Sequence, residues 1–302
     1  MIKELMMFYN VENFFPSDQN KDSKKSDLYN WDDYKYNQKL RRINHVLQLV
    51  KEEKHNLPFV IGLAEIGSEE VLIDLINTNS QLENYQYLYQ KSLDSRGLNV
   101  ALLYNDNKAQ LLNHQFLRFE NGDFGDYETR DILQTEFLYQ GNHFHIFVLH
   151  LPSKREQDHK KQLREYLVDE LSDVIGSLKV KNEPIIIMGD FNENPNEGNL
   201  EKLLLKSETD QFLINPFQNF IHKKQYTTFH RKQGVVFDQI IYSENLLNNI
   251  NYNTSVSIFN HIKLKNGVKK HHQFPSRTYS GSRYIGGYSD HFPILLELAK
   301  TK

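Results

Sequence analysis

The sequence predicts an α/β fold in which two packed β-sheets carry helices on their outer faces, and three observations predict it. Short continuous apolar runs, Ile185 to Met188 and Phe59 to Ala64, read as strands buried on both faces. Apolar residues at helical spacing, Leu40, Ile43, Val46, Leu47 and Val50, mark an amphipathic helix that needs a sheet to pack on. Between these lie shorter strands joined by turns, as in the Gly141–Asn142 hairpin, so the sheets should be rich in antiparallel pairs. A chain of 302 residues with 39% hydrophobic content can bury a core of this size, and one domain over 1–302 is expected.

In order, a strand at about Leu5 to Tyr9 delivers Asn10 and Glu12 to its exit. Asn10 is a candidate oxygen ligand and Glu12 a weaker acidic neighbour. Ser17 to Asp33 is polar and lysine-rich, a surface loop with Trp31 as its anchor, and the helix through Leu40 to Val50 follows with Arg41 and Arg42 on its solvated side. The strand Phe59 to Ala64 ends at Glu65, an acid placed to suit a hard divalent cation. Ser68 before Glu69 and Glu70 has the pattern of a helix N-cap. Strands follow at Tyr85 to Tyr89, Val100 to Tyr104 and Gln110 to Phe119, then a glycine-containing turn at Asn121 to Tyr127. Arg130 opens the next strand, where it can fork onto a phosphate or pair with Asp131 or Glu128.

The hairpin Asp131–Tyr139 and His143–Leu149 places Phe144, Ile146 and Val148 on one face and leaves His143 and His145 to solvent. His150 stands at the rim because Pro152 ends the strand. A helix from about Glu156 to Ser177 returns the chain to PIIIMGDFNENP, where the apolar strand runs into Gly189, Asp190 and Asn192. Alternation would point Asp190 and Asn192 the same way; an Asx-rich turn is the other reading. Leu200 to Leu205 suggests a short helix, and Val235 to Tyr242 a strand carrying Asp238, which as a buried acid needs a partner such as a histidine. Asn245 to Ser289 contains no acid but holds Lys263, Lys265, Lys269, Lys270, Arg277 and Arg283, with Tyr279, Tyr284 and Tyr288 interleaved, a loop suited to an anion or to neutralising acidic neighbours. Asp290 and His291 then precede the closing strand.

Composition excludes several classes. A net charge of −3 rules out a uniformly cationic nucleic-acid binder, and the absence of cysteine removes disulfides, thiolate metal sites and cysteine nucleophiles. No apolar run approaches the roughly 20 residues of a membrane span. MIKELMMFYNVENFF has no apolar h-region or small-residue cleavage site, so a cytoplasmic location is expected, and no obligate protein partner is evident. Carboxylates, amides and histidines at strand ends, without thiolates, favour Mg2+ over zinc, with Mn2+ as the substitute. Such a set suits phosphoester hydrolysis.

The motifs YNVEN at Tyr9 to Asn13, Glu65, Arg130, HLPSK from His150, GDFN at Gly189 to Asn192, FDQIIYS around Asp238 and SDHFP from Ser289 together resemble the endonuclease/exonuclease/phosphatase family, nearly end to end. The resemblance implies a four-layer α/β sandwich, two mixed sheets flanked by helices, of the deoxyribonuclease I-like kind. It also implies that Glu65 binds magnesium with Asn10 and Asp290, that Asp190 orients or deprotonates the attacking water, and that Asn192 fixes water and phosphate. His291 paired with Asp238 would stabilise the transition state, His150 would act on the phosphate or leaving group, and Arg130, Arg277 and Arg283 would contact substrate phosphates. Abasic-site endonucleases of the family carry tyrosine and asparagine near the position of His150, a departure that points to the deoxyribonuclease I, sphingomyelinase and phosphatase branches. RTYSGSRYIGGYSDH is similar to bacterial members described as predicted endonucleases. The leading expectation is a magnesium-dependent nuclease with DNA as substrate. A phosphatase or phosphodiesterase for inositol phosphate, a sphingomyelin-like or other small substrate is the alternative, and an inactive binding module the third.

Overall fold

Apolar strands set the centre of the molecule and the helices that connect them close its outside. The structure is a computed structural model describing residues 3–17, 28–119, 129–154, 158–205, 212–230, 232–246, 252–267 and 273–300. In chain order the elements are β1 (Lys3–Phe14), α1 (Asp33–Lys54), β2 (Val60–Ile66), α2 (Glu69–Asn77), β3 (Tyr85–Tyr89), β4 (Asn99–Asn105), β5 (Gln110–Leu117), β6 (Ile132–Tyr139) and β7 (Asn142–His150). Then come α3 (Lys161–Val180), β8 (Ile185–Asp190), α4 (Gly198–Leu205), β9 (Leu213–Ile214), α5 (Gln218–His222), β10 (Thr228–His230), β11 (Gln233–Val235) and β12 (Asp238–Ser243). β13 (Tyr252–Ile258), β14 (Tyr279–Ser280), β15 (Arg283–Tyr284) and β16 (Ile294–Lys300) complete the chain.

Two six-stranded sheets result, ordered β13-β16-β1-β2-β4-β3 and β5-β6-β7-β8-β12-β9. Both are mixed. β1 and β2 run parallel with α1 as their crossover, and β7 and β8 run parallel with α3 between them. The remaining neighbours within these sheets pair antiparallel. Parallel strands need a crossover of this length, which explains why the two long helices sit where they do.

Met6, Phe8, Val60 and Leu102 of the first sheet meet Ile146, Val148, Ile186 and Met188 of the second in one apolar cluster. Leu40, Ile43, Val46 and Leu47 of α1 cover the outer face of the first sheet, and Leu163, Leu167, Leu171 and Ile175 of α3 cover that of the second. The order is helix, sheet, sheet, helix. β1 and β2 face β8 across the interior, so the carboxyl ends of both parallel pairs meet at one rim. A crevice beyond the carboxyl ends of parallel strands is where open α/β sheets bind ligands. Among the described residues no helix is long and apolar enough to cross a membrane.

Several local expectations change. His145 is buried rather than solvent-facing, because both faces of β7 are covered, and its Nε2 lies 2.8 Å from Glu183 Oε2. The strand anticipated over Val235 to Tyr242 is interrupted, so that Asp238 opens β12 instead of lying within a strand. Ser68 caps α2 by position, without a side-chain hydrogen bond. Trp31 does anchor its segment, donating from Nε1 to Phe15 O at 3.1 Å. The turn at Asn121 to Tyr127, most of the Ser17 to Asp33 loop, Lys269 and Lys270 lie outside the described residues.

Candidate active site

Two bulges shape the first half of the rim. The β1–β2 register shifts between Asn10 and Phe14, and the β2–β4 register shifts between Ala64 and Ile66. Glu12, Asn13 and Glu65 consequently adopt φ of 52°, 49° and 67°. Left-handed backbone at a glutamate is uncommon, and such positions concentrate at functional sites. Bulges re-aim side chains. Here they set Asn10 beside Glu65, with Asn10 Nδ2 donating to Glu65 Oε1 at 3.3 Å and the Asn13 amide donating to Glu65 Oε2 at 2.8 Å.

The second half comes from strand register. β7 pairs His150 with Asp190, and β12 pairs Asp238 with the same Asp190. Gly189 permits this approach, since a Cβ there would lie 2.4 Å from Leu149 O. Asp190 Oδ2 becomes the meeting point: Asn10 Nδ2 donates to it at 3.1 Å, while His150 Nε2 stands 3.5 Å away and His291 Nε2 3.9 Å away. Its Oδ1 accepts the Asn192 amide at 2.9 Å. Asn192, with φ of 52°, turns its own side chain back to donate to Leu151 O at 2.9 Å, so it does not continue the alternation of β8. His291 Nδ1 donates to Asp238 Oδ2 at 2.8 Å, which leaves Nε2 facing the site. Ser289 Oγ donates to Asn10 O at 2.7 Å and accepts the His291 amide at 3.1 Å, tying the lead into β16 to the exit of β1.

Burial and neighbouring charge tune these groups toward neutral pH. Burial first, and the nearby Asp238 second, push the Asp190 carboxyl up to about 7 against the opposing pull of His291. Burial works against a charged His291 ring, but Asp238, Asp190 and Asp290 outweigh it and raise the imidazole well above its ordinary range. Glu12 is pushed up to about 7 by burial and Asp290, and Lys39 is brought down to about 8 by burial. An acid that ionises near neutrality beside an imidazole that stays charged is a combination suited to acid–base work.

The expected cations take other places. Arg130 is 5% exposed, and its guanidinium donates to His150 O, Leu151 O and Asp94 Oδ2 at 2.7, 2.7 and 2.9 Å. It faces the protein rather than open space where a phosphate could lie. Arg277 donates to Asp290 Oδ2 at 2.9 Å and reaches Glu12 Oε1 at 3.4 Å, so Asp290 faces an arginine. Arg283 is exposed on β15. Tyr279, Tyr284 and Tyr288 pack toward α1 and its approach: the Tyr279 ring lies against Trp31 and Tyr284, and Arg42 sits over the Tyr288 ring at 4.8 Å. Arg42 is therefore half-buried instead of solvated, donating also to Gly286 O.

Residues the sequence reading passed over hold the same segment. Lys39 is buried and donates to Thr278 Oγ1 at 2.7 Å and Tyr288 O at 2.6 Å, and Glu12 Oε2 accepts the Thr278 amide at 2.6 Å. The available signal was Lys39 standing four residues before Ile43, within the apolar stripe of α1. Thr228 Oγ1 donates to Asp290 O at 2.7 Å, a contact that nothing in local sequence marks.

Glu65 and Asp190 bring carboxylate oxygens to either side of one amide nitrogen, a donor set of hard oxygens that fits a divalent cation. Asn10 presents nitrogen there, not the oxygen expected of a ligand, because its Oδ1 accepts the Glu12 amide at 3.1 Å. Asp190, Asp238 and His291 also offer ligand atoms within 4.8 Å of one another. The short bond between the latter two favours an acid–imidazole couple for that group.

A model of the Endonuclease/Exonuclease/phosphatase family matches residues 5–300. No match was found among curated proteins. Among solved structures, D. rerio TDP2 complexed with single strand DNA product is 14% identical with a TM-score of 0.62, covering 99% of each chain. The human Nocturnin catalytic domain with bound sulfate anion is 15% identical with a TM-score of 0.60, covering 99% of this chain and 95% of that one. A mannosyl-6-phosphatase from Bacteroides thetaiotaomicron is 18% identical with a TM-score of 0.60, covering 98% of this chain and 99% of that one. At these identities the likeness is one of fold.

Proposed function

The chain belongs to the endonuclease/exonuclease/phosphatase family, and from that premise we propose that it hydrolyses a phosphoester with Mg2+, or Mn2+ in its place, by water attack assisted by Asp190 and His291. The observation that carries this is the convergence of Asn10, His150 and His291 on Asp190 Oδ2, with Glu65 held by the same Asn10 amide.

Asp190, ionising near neutrality, takes the proton of the attacking water, and Asn10 and the Asn192 amide fix its carboxylate. His291 is kept charged by Asp238 and directs Nε2 toward the oxygens on which negative charge grows. His150, whose Nε2 stands 3.5 Å from Asp190 Oδ2, serves the phosphate or leaving group. Glu65 would hold the cation, with Asp290 released from Arg277 as the further oxygen donor. When bound, the cation supplies Lewis-acid stabilisation of phosphate charge.

The first substrate class is a nucleic-acid phosphodiester, in keeping with the DNA product recorded with the TDP2 structure. A small phosphate ester is the second reading, and one observation favours it. Arg277, Tyr279 and Tyr288 are engaged with Glu12, Trp31 and Arg42, which removes them as a track for stacked bases. Supercoiled plasmid, a single-stranded oligonucleotide and a sugar phosphate, each incubated with Mg2+ with and without EDTA, test the proposal. Cleavage of one substrate class, abolished by EDTA and by Asp190→Asn, is expected. Turnover that persists in EDTA would overturn the metal role, and failure on all phosphoesters with Mg2+ and Mn2+ would overturn the activity.

A further inference from the structure

Two consecutive carbonyls at the exit of β7, those of His150 and Leu151, are captured by one buried guanidinium. Arg130 Nε donates to His150 O and its Nη2 to Leu151 O, both at 2.7 Å, while Nη1 donates to Asp94 Oδ2 at 2.9 Å. Asp94 is itself 8% exposed and locked within its own loop, its Oδ1 accepting the Arg96 and Leu98 amides at 3.1 and 3.3 Å. The next carbonyl is taken too: Arg164, fully buried, donates to Pro152 O at 3.1 Å and to Glu193 Oε1 at 3.1 Å.

The captured segment reaches the reacting groups through its main chain. Leu151 O also accepts Asn192 Nδ2 at 2.9 Å, and the Leu151 amide donates to Asp190 O at 2.9 Å. His150 carries the imidazole 3.5 Å from Asp190. A planar guanidinium can serve a carboxylate and two carbonyls at once because its donors are fixed in one fork, which an ammonium cannot reproduce. We propose that Asp94 and Arg130 are positioning residues, an ion pair that fixes the main chain of His150 and Leu151 and thereby the aim of His150 and Asn192.

The kinetic side of this inference rests on the proposed hydrolytic site; the structural side does not. Asp94→Asn leaves the arginine without its counter-charge, and Arg130→Lys removes the fork. Both are expected to lower kcat by about 100-fold with KM little changed, the size of effect that a misplacement of about 1 Å produces. Hydrogen exchange should rise in peptides covering 149–152 and 190–193, while Ile185 to Met188 keep wild-type protection. Guanidinium ion added to Arg130→Ala should restore part of the rate. A rise in KM at constant kcat would overturn the proposal by showing that Arg130 meets substrate. Unchanged exchange at 149–152 and 190–193 in both variants, or loss of protection throughout β7 and β8, would overturn it as well. If wild type hydrolyses no phosphoester, the exchange experiment decides alone.

Discussion

Replacing Asp238 by asparagine keeps the shape of the site and removes one charge. Asp238 is fully buried and accepts the His291 Nδ1 proton at 2.8 Å, so its carboxylate is the main force that keeps the imidazole charged against burial. A hydrogen bond to a charged group is worth roughly 1.5–3 kcal/mol. Asparagine can still accept that proton but carries no charge, so burial gains the upper hand and the imidazole pKa falls toward and below its ordinary range. The same carboxylate is the second cause, after burial, that holds Asp190 up near 7, so Asp190 falls too. The proposed mechanism needs Asp190 ionised and His291 charged, which gives a rising limb set by Asp190 and a falling limb set by His291 in wild type. In Asp238→Asn both limbs move to lower pH, and the plateau drops by about 10²-fold to 10⁴-fold, the usual range for acid–base assistance. The assay is kcat/KM against pH from 5 to 10 at saturating Mg2+. A falling limb that stays in place while the plateau drops would refute the reasoning about His291.

Glu12 offers a test without turnover: burial sets it at about 7 against an ordinary 4.5, so the fold favours the protonated acid. Its contribution to stability is complete below about pH 4.5 and is lost as pH rises through 7, a change of about 3 kcal/mol for the metal-free protein. Glu12→Gln should flatten that decline in urea titrations, and an equally steep decline in the variant would contradict the assignment. Gly189→Ala drives a Cβ to 2.4 Å from Leu149 O and should destabilise by about 1–3 kcal/mol of overpacking, read from chemical denaturation; wild-type stability would contradict the close approach. Arg283→Gln, on an exposed strand, should make the salt slope of DNA affinity shallower by about 0.7–0.9 for one phosphate contact. An unchanged slope argues for the small-ester substrate.

Much of the frame was legible in the sequence because it follows from periodicity. Ile185 to Met188 and Phe59 to Ala64 read as strands covered on both faces, and the stripe Leu40, Ile43, Val46, Leu47 as a helix face that packs on a sheet. Strand exits then placed Asn10, Glu65, His150 and Asp190 at a rim, and Asp238 announced its need for a partner. What stayed hidden depends on long-range geometry. The bulges that give Glu12 and Glu65 positive φ leave no mark in residues that ordinarily avoid that conformation. The orientation of the Asn10 amide is decided by the backbone nitrogen of Glu12, which no pattern encodes. Arg130 and Arg277 looked like phosphate contacts because arginine serves buried ion pairs and anions alike, and only tertiary contacts with Asp94 and Asp290 distinguish the two. His145 looked solvent-facing because alternation alone cannot show that both faces of a strand are covered.

The proposed site depends on one oxygen of Asp190 at which an amide and two imidazoles meet. Single-turnover hydrolysis by Asp190→Asn, with Mg2+ saturating and the fold verified by its urea midpoint, measures that dependence directly. The expected rate on the wild-type pH plateau is at least about 100-fold below wild type, with the gap narrowing at acid pH where Asp190 is protonated in wild type. A folded Asp190→Asn protein turning over at the wild-type rate would contradict it.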